Sequence, residues 1–219
     1  MTLAPDPRLL ARMSWPARIG WLLIALMCLG IATYASKYLI HPPQTAEQAL
    51  GNPLGVPFLV IHVAGAVIAL MLGSVQFIPA WRKGRTPPHP WVGRVYVLGV
   101  LVGGVAGLIL SSRSSAGPIA TAGFGSLAVI WLATTLLGWR AAVQGRISDH
   151  RRWMIRSWAL TLAAVTLRIY LPLVQISGLD FLPWYRAISF LCWVPNLIAA
   201  ELWLRRRTTS LTQHKAETL

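Results

Sequence analysis

Few side chains in this sequence can do polar chemistry, and the informative ones fall where apolar helices would hold them: His62, His89, His150 and Arg168. His62 precedes a series of small residues, Gly65, Ala69 and Gly73, and Gln76 follows on the same helical face. In helical bundles that carry haem b, imidazoles on facing helices hold the iron from both sides while small residues make room for the porphyrin. A second histidine about four turns after His62 would complete a two-haem pattern. Gln76 stands there instead, so half of the pattern is present. The plain alternative is an imidazole bonded to the carbonyl of a neighbouring helix.

His89 opens one apolar segment, in HPWVGR, and His150 opens another, in SDHRRWMIRS. Both sit at expected helix N-termini at the same membrane face, so the pair is expected to meet and to hold a metal or haem iron near the interface. Capping by Ser148 or Asp149, with Arg94, Arg151 and Arg152 on lipid phosphates, is the alternative. Arg168 lies about 22 Å along its helix from Trp153, near the expected depth of His62. It is read as the only charge well inside a span. It is expected to share a small-molecule pocket with His62, near Gln175 or Ser111, and to greet a propionate, a quinone oxygen or a lipid phosphate; snorkelling to the interface is the alternative. Glu201 is expected to pair with a basic loop residue. Paired carboxylates, CxxC, HExxH, a nucleophile elbow, a P-loop and a dinucleotide fingerprint are all missing, so no catalytic motif marks an enzyme.

The elements that must position these residues are set by composition. The 219 residues are 55% hydrophobic and 12% charged, about half the charge of a soluble domain. Disorder, coiled coil and soluble solenoid are excluded. Six apolar segments of near-bilayer length run from about residues 19–38, 58–78, 92–110, 119–139, 153–176 and 184–204, joined by HPPQ, GNPLGVP, GRTPPHP, SSAGP and other short turns. The sequence predicts an all-α membrane protein, a bundle of six transmembrane helices. Residues 19–204 form its single domain, with a basic tail over 1–18 and a second tail over 205–219. A basic start and Thr33-Tyr34-Ala35-Ser36 also admit a cleaved signal peptide, for which the first apolar stretch is long.

The net charge is +14. Sixteen Lys and Arg residues fall in the N-terminal tail, the second-to-third and fourth-to-fifth connections and the C-terminal tail, Arg82, Lys83, Arg85 and Arg207 among them. Only Lys37, Arg113 and Arg186 fall on the other side, which predicts cytoplasmic termini in a bacterial inner membrane. Trp15, Trp81, Trp91, Trp139, Trp153 and Trp203 mark the same edge. Clusters between spans suit anionic lipid headgroups rather than nucleic acid. Gly99, Gly103, Gly107 and Ser111 recur every fourth residue and, with Gly65, Ala69 and Gly73, predict close helix packing. Cys28 and Cys192 lie inside apolar segments as small fillers.

Four blocks in order, HVAGAVIALMLGSVQFIP, HPWVGRVYVLGVLVGGVAG, HRRWMIRSWALTLAAVTLRIYLP and LCWVPNLIAAE, carry a resemblance over about residues 56–203. Together they resemble the bacterial predicted-membrane-protein family called domain of unknown function 2306. The resemblance implies a multi-pass protein of the cytoplasmic membrane and brings no established reaction. The histidines also look distantly like those of di-haem b-type membrane cytochromes, from which Gln76 departs. The leading functional expectation is a membrane protein binding haem b or a quinone-type redox ligand through His62, Arg168, His89 and His150. An assembly subunit, packing against partner proteins, lipids or a second copy, is the alternative. A small-solute carrier ranks below both, without an inverted repeat.

Overall fold

The computed structural model describes residues 15–42, 55–76 and 88–216, the last ten of these by backbone alone. Every regular element among them is helical: α1 (Trp15–Ile40), α2 (Gly55–Gln76), α3 (Pro88–Ser112), α4 (Pro118–Val143), α5 (Ile147–Thr161), α6 (Ala163–Ile176), α7 (Phe181–Leu191) and α8 (Val194–Ala216). They supply six lengths long and apolar enough to cross a membrane, α5 with α6 forming the fifth and α7 with α8 the sixth. In hydrocarbon a helix satisfies all of its backbone polar groups internally, so apolar segments of this length fold no other way. Large apolar side chains such as Leu22, Leu26, Leu98 and Ile176 stay exposed, faces that acyl chains cover. The expected positions Arg8, Arg12, Phe77, Ile78, Trp81, Arg82, Lys83 and Arg85 lie outside the described residues, as does most of the N-terminal tail.

The helices divide into two compact units, α1–α3 and α4–α8. In the first, α2 and α3 run antiparallel and meet backbone to backbone. A Cβ on Gly65 would stand 2.5 Å from the Gly99 carbonyl oxygen and 2.7 Å from Gly103 Cα, so only glycine permits this approach. The expected small-residue packing is thus the seam of this unit. Helix α1 lies along α2 and buries its small face, Cys28, Ala32 and Ala35.

In the second unit, α4 and α5 form a helical hairpin. Gly145 turns α4 off with φ +73°. Arg146 N–H donates to Ala141 O at 2.9 Å and Gly145 N–H to Ala142 O at 3.0 Å, a Schellman turn that satisfies the last carbonyls. Helix α5 starts at Ile147 with Arg146 in the cap position and no side-chain cap, so neither Ser148 nor Asp149 caps it. Asp149 instead sits in the first turn and pairs with Arg146. The fifth helical length starts six residues earlier than the apolar pattern indicates, because the amphipathic first turns carry Asp149, Arg151 and Arg152.

The fifth and sixth lengths are each interrupted. Pro195 lacks an N–H for Leu191 O, and its ring crowds that carbonyl, which explains the break between α7 and α8. At the other break, Leu162, no proline is involved. Thr161 and Thr166 hydroxyls bond back to Ser157 O and Leu162 O at 2.9 and 3.2 Å, a pattern that bends helices. Asn196 links the two breaks: its Nδ2 donates to Cys192 O at 3.1 Å and to Thr166 Oγ1 at 3.0 Å.

Candidate functional site

The first unit seats His62 in a notch built from glycine. One turn beyond the α2–α3 crossing, the space above Gly107 is filled by the imidazole: a Cβ on Gly107 would come 2.8 Å from His62 Nδ1 and 3.0 Å from Cε1. Nδ1 lies 2.7 Å from Gly103 O. A carbonyl only accepts, so Nδ1 donates, and in the neutral ring Nε2 carries the lone pair. That tautomer is the one histidines adopt when Nε2 ligates a metal, the second ring N–H being held by a carbonyl or carboxylate. The same bond is also the plain alternative weighed from sequence, a histidine satisfied by a neighbouring helix.

At the opposite end of α2 and α3, Gln76 and His89 come together through main chain. Gln76 Nε2 donates to His89 O at 3.2 Å, and a Cβ on Gly93 would stand 3.3 Å from Nε2. Gln76 therefore ties α2 to the first turn of α3. Fourteen residues along α2 separate it from His62, about 21 Å. His62 and His89 thus stand at opposite ends of this helix pair.

The second unit holds His150 in a similar way. Its Nδ1 donates to Gly138 O at 2.9 Å, from the first turn of α5 to the last turns of α4. The glycine there leaves room for Met154, whose Sδ would stand 2.7 Å from a Cβ. Below it the hairpin is bound by hydroxyls and indole. Thr135 Oγ1 and Ser157 Oγ lie 2.7 Å apart, both buried, and Trp131 Nε1 donates to Thr161 Oγ1 at 2.9 Å. Arg168, half-buried on α6, donates back to Ala164 O at 3.2 Å. Gln175, expected on its inward face, is exposed.

Glu201 pairs with a basic residue as expected, but that residue, Arg156, stands on α5 rather than in a loop. The contact is bidentate, Nε to Oε1 at 2.5 Å and Nη2 to Oε2 at 3.0 Å, and the guanidinium lies 4.7 Å from the Trp153 ring centroid. Arg156 stands about 14 Å along α5 from Ile147, so Arg168 is not the only charge within the helical lengths. Planar two-point geometry and the ring beneath make this a fixed pair rather than a loose surface contact. By sequence, Arg156 counts among the basic residues of the fourth-to-fifth connection. The signal was its position three turns after the helix start, with Glu201 on another apolar helix.

Among the described residues, no group of three His, Cys, Asp or Glu side chains stands together to hold a metal. His62 and His89 belong to the first unit, His150 and Arg168 to the second. Both cysteines are buried and free.

The family model of predicted membrane proteins, domain of unknown function 2306 (DUF2306), matches residues 59–204, two thirds of the chain. The chain belongs to that family. The match runs from Leu59 in α2 to Leu204, about halfway along α8, so the DUF2306 region includes the His62 notch, the hairpin and the Arg156–Glu201 pair. No curated protein and no solved structure matches this DUF2306 chain.

Proposed function

We propose that this DUF2306 protein resides in a bacterial cytoplasmic membrane with both termini inside, and holds a redox ligand at His62. The ligand is a hydroquinone-type headgroup first, and haem b second. One observation carries the reading: Nδ1–H is committed to Gly103 O at 2.7 Å, which makes Nε2 the accepting nitrogen. A neutral imidazole of this kind accepts a proton from a hydroquinone hydroxyl, and does not donate to a quinone carbonyl unless protonated again. The residues fit haem only in part. His62 has the tautomer of an axial ligand, but His89 stands at the far end of the same helix pair. His62 and His89 thus do not hold one iron between them. The basic asymmetry of the connections supports the orientation.

The test is a titration of the full chain, purified in mild detergent, with a short-chain hydroquinone followed by calorimetry. Binding should weaken at least about tenfold in His62→Leu, by loss of the hydrogen bond at Nε2. Equal binding by wild type and His62→Leu would overturn the assignment.

A further inference from the structure

In the α4–α8 unit, a shallow open groove runs along one face of α8, lined by Trp193 just before the helix and by Val194, Leu197, Ile198, Glu201, Leu202 and Arg205. Its walls are almost wholly apolar from Trp193 to Ile198, and its charged groups gather at one end. From Val194 to Arg205 is eleven residues, about 16 Å of helix, against about 15 Å for the hydrocarbon of one leaflet. An acyl chain laid along this groove would therefore reach from the bilayer midplane to the level of Arg205.

The charge at that end is positive. Glu201 is matched by Arg156 in the bidentate pair, and the charges of Arg152 and Arg205 bear on the same place. Arg205 and Arg206 are both exposed. A guanidinium offers five N–H donors in a fork that fits phosphate oxygens in pairs, so one neighbour does not exhaust it. Length, apolar walls and a cationic end together select one occupant. We propose that this groove is a specific site for an anionic phospholipid, one acyl chain along α8 and its phosphate at Arg205 and Arg152.

The test uses the full chain in mild detergent, with native mass spectrometry to count retained lipid and thermal unfolding to read the effect. The probes are phosphatidylglycerol, phosphatidylcholine with the same acyl chains, and glycerol 3-phosphate, which has the anion without the chains. Phosphatidylglycerol should be retained and should raise the unfolding midpoint. Phosphatidylcholine should bind about fivefold or more weakly, the worth of one basic residue at an anionic surface, and glycerol 3-phosphate should do nothing. Arg205→Gln should reduce phosphatidylglycerol to the level of phosphatidylcholine, whereas Arg205→Lys should keep most of the preference. Ile198→Trp should fill the groove and remove retention of both lipids. Equal retention of the two lipids by wild type would mean an unselective lipid annulus, and would overturn the proposal. So would a shift with glycerol 3-phosphate as large as with phosphatidylglycerol, or a preference unchanged in Arg205→Gln.

Discussion

The His62 imidazole occupies the volume that a side chain at Gly107 would need: a Cβ there would stand 2.8 Å from Nδ1. The ring that is bonded to Gly103 O is thus held by the absence of a methyl group one turn away. Gly107→Ala should push the ring off that carbonyl and lower stability in detergent by about 1–2 kcal/mol. In a His62→Ala background the same change should cost little. A double-mutant cycle by thermal unfolding checks this, and additive losses would contradict the contact.

Four helical glycines of the first unit separate into two pairs. Gly65→Ala puts a Cβ into the backbone of α3, and Gly103→Leu does the same toward α2, so each should cost about 1–3 kcal/mol as overpacking. Gly20 and Gly30 on α1 have nothing within 4 Å of the added atom. Alanine at either should be neutral or stabilising by up to about 1 kcal/mol, since glycine weakens a helix. Unfolding of the four variants in one detergent reads the contrast.

The Arg156–Glu201 pair predicts an asymmetry between single and double changes. Glu201→Gln or Arg156→Gln alone leaves a half-buried charge facing an amide, at a cost of about 1–3 kcal/mol. The double variant should be less destabilised than the two losses added together. Thermal unfolding of the three variants measures the coupling, and strict additivity would show that the pair contributes nothing.

Much of the fold was legible because lipid imposes a simple rule: bilayer-length apolar segments must be helical. The α2–α3 seam was legible too, since glycines four apart leave one face without side chains. The breaks at Leu162 and Cys192 were harder to read. Pro195 signalled one, but the other depends on threonine hydroxyls whose back-bonding has no compositional mark. Within the site, His62 was found by its type, while its tautomer depends on the Gly103 carbonyl, which any residue would supply. Arg156 was counted with the basic connection because it follows Arg151 and Arg152 closely and lies only three residues inside the apolar segment that starts at Trp153. Its partner became visible only when α5 and α8 were seen side by side.

Orientation rests on the distribution of Lys and Arg. Reporter fusions after Arg146 and at the C-terminus should read cytoplasmic, and one after Gln44 periplasmic. A periplasmic C-terminus would reverse the proposed topology.

The most direct test of a redox ligand at His62 is the composition of the purified protein itself. The chain and its His62→Leu variant, prepared from membranes in mild detergent, would be compared anaerobically by visible spectrum and by extraction of bound quinone. The account predicts bound quinone, or a Soret band of an imidazole-ligated haem, in the wild type, and loss of that signal in a variant that remains folded. Wild-type protein without quinone and without a Soret band, which also fails to bind added hydroquinone, would contradict it.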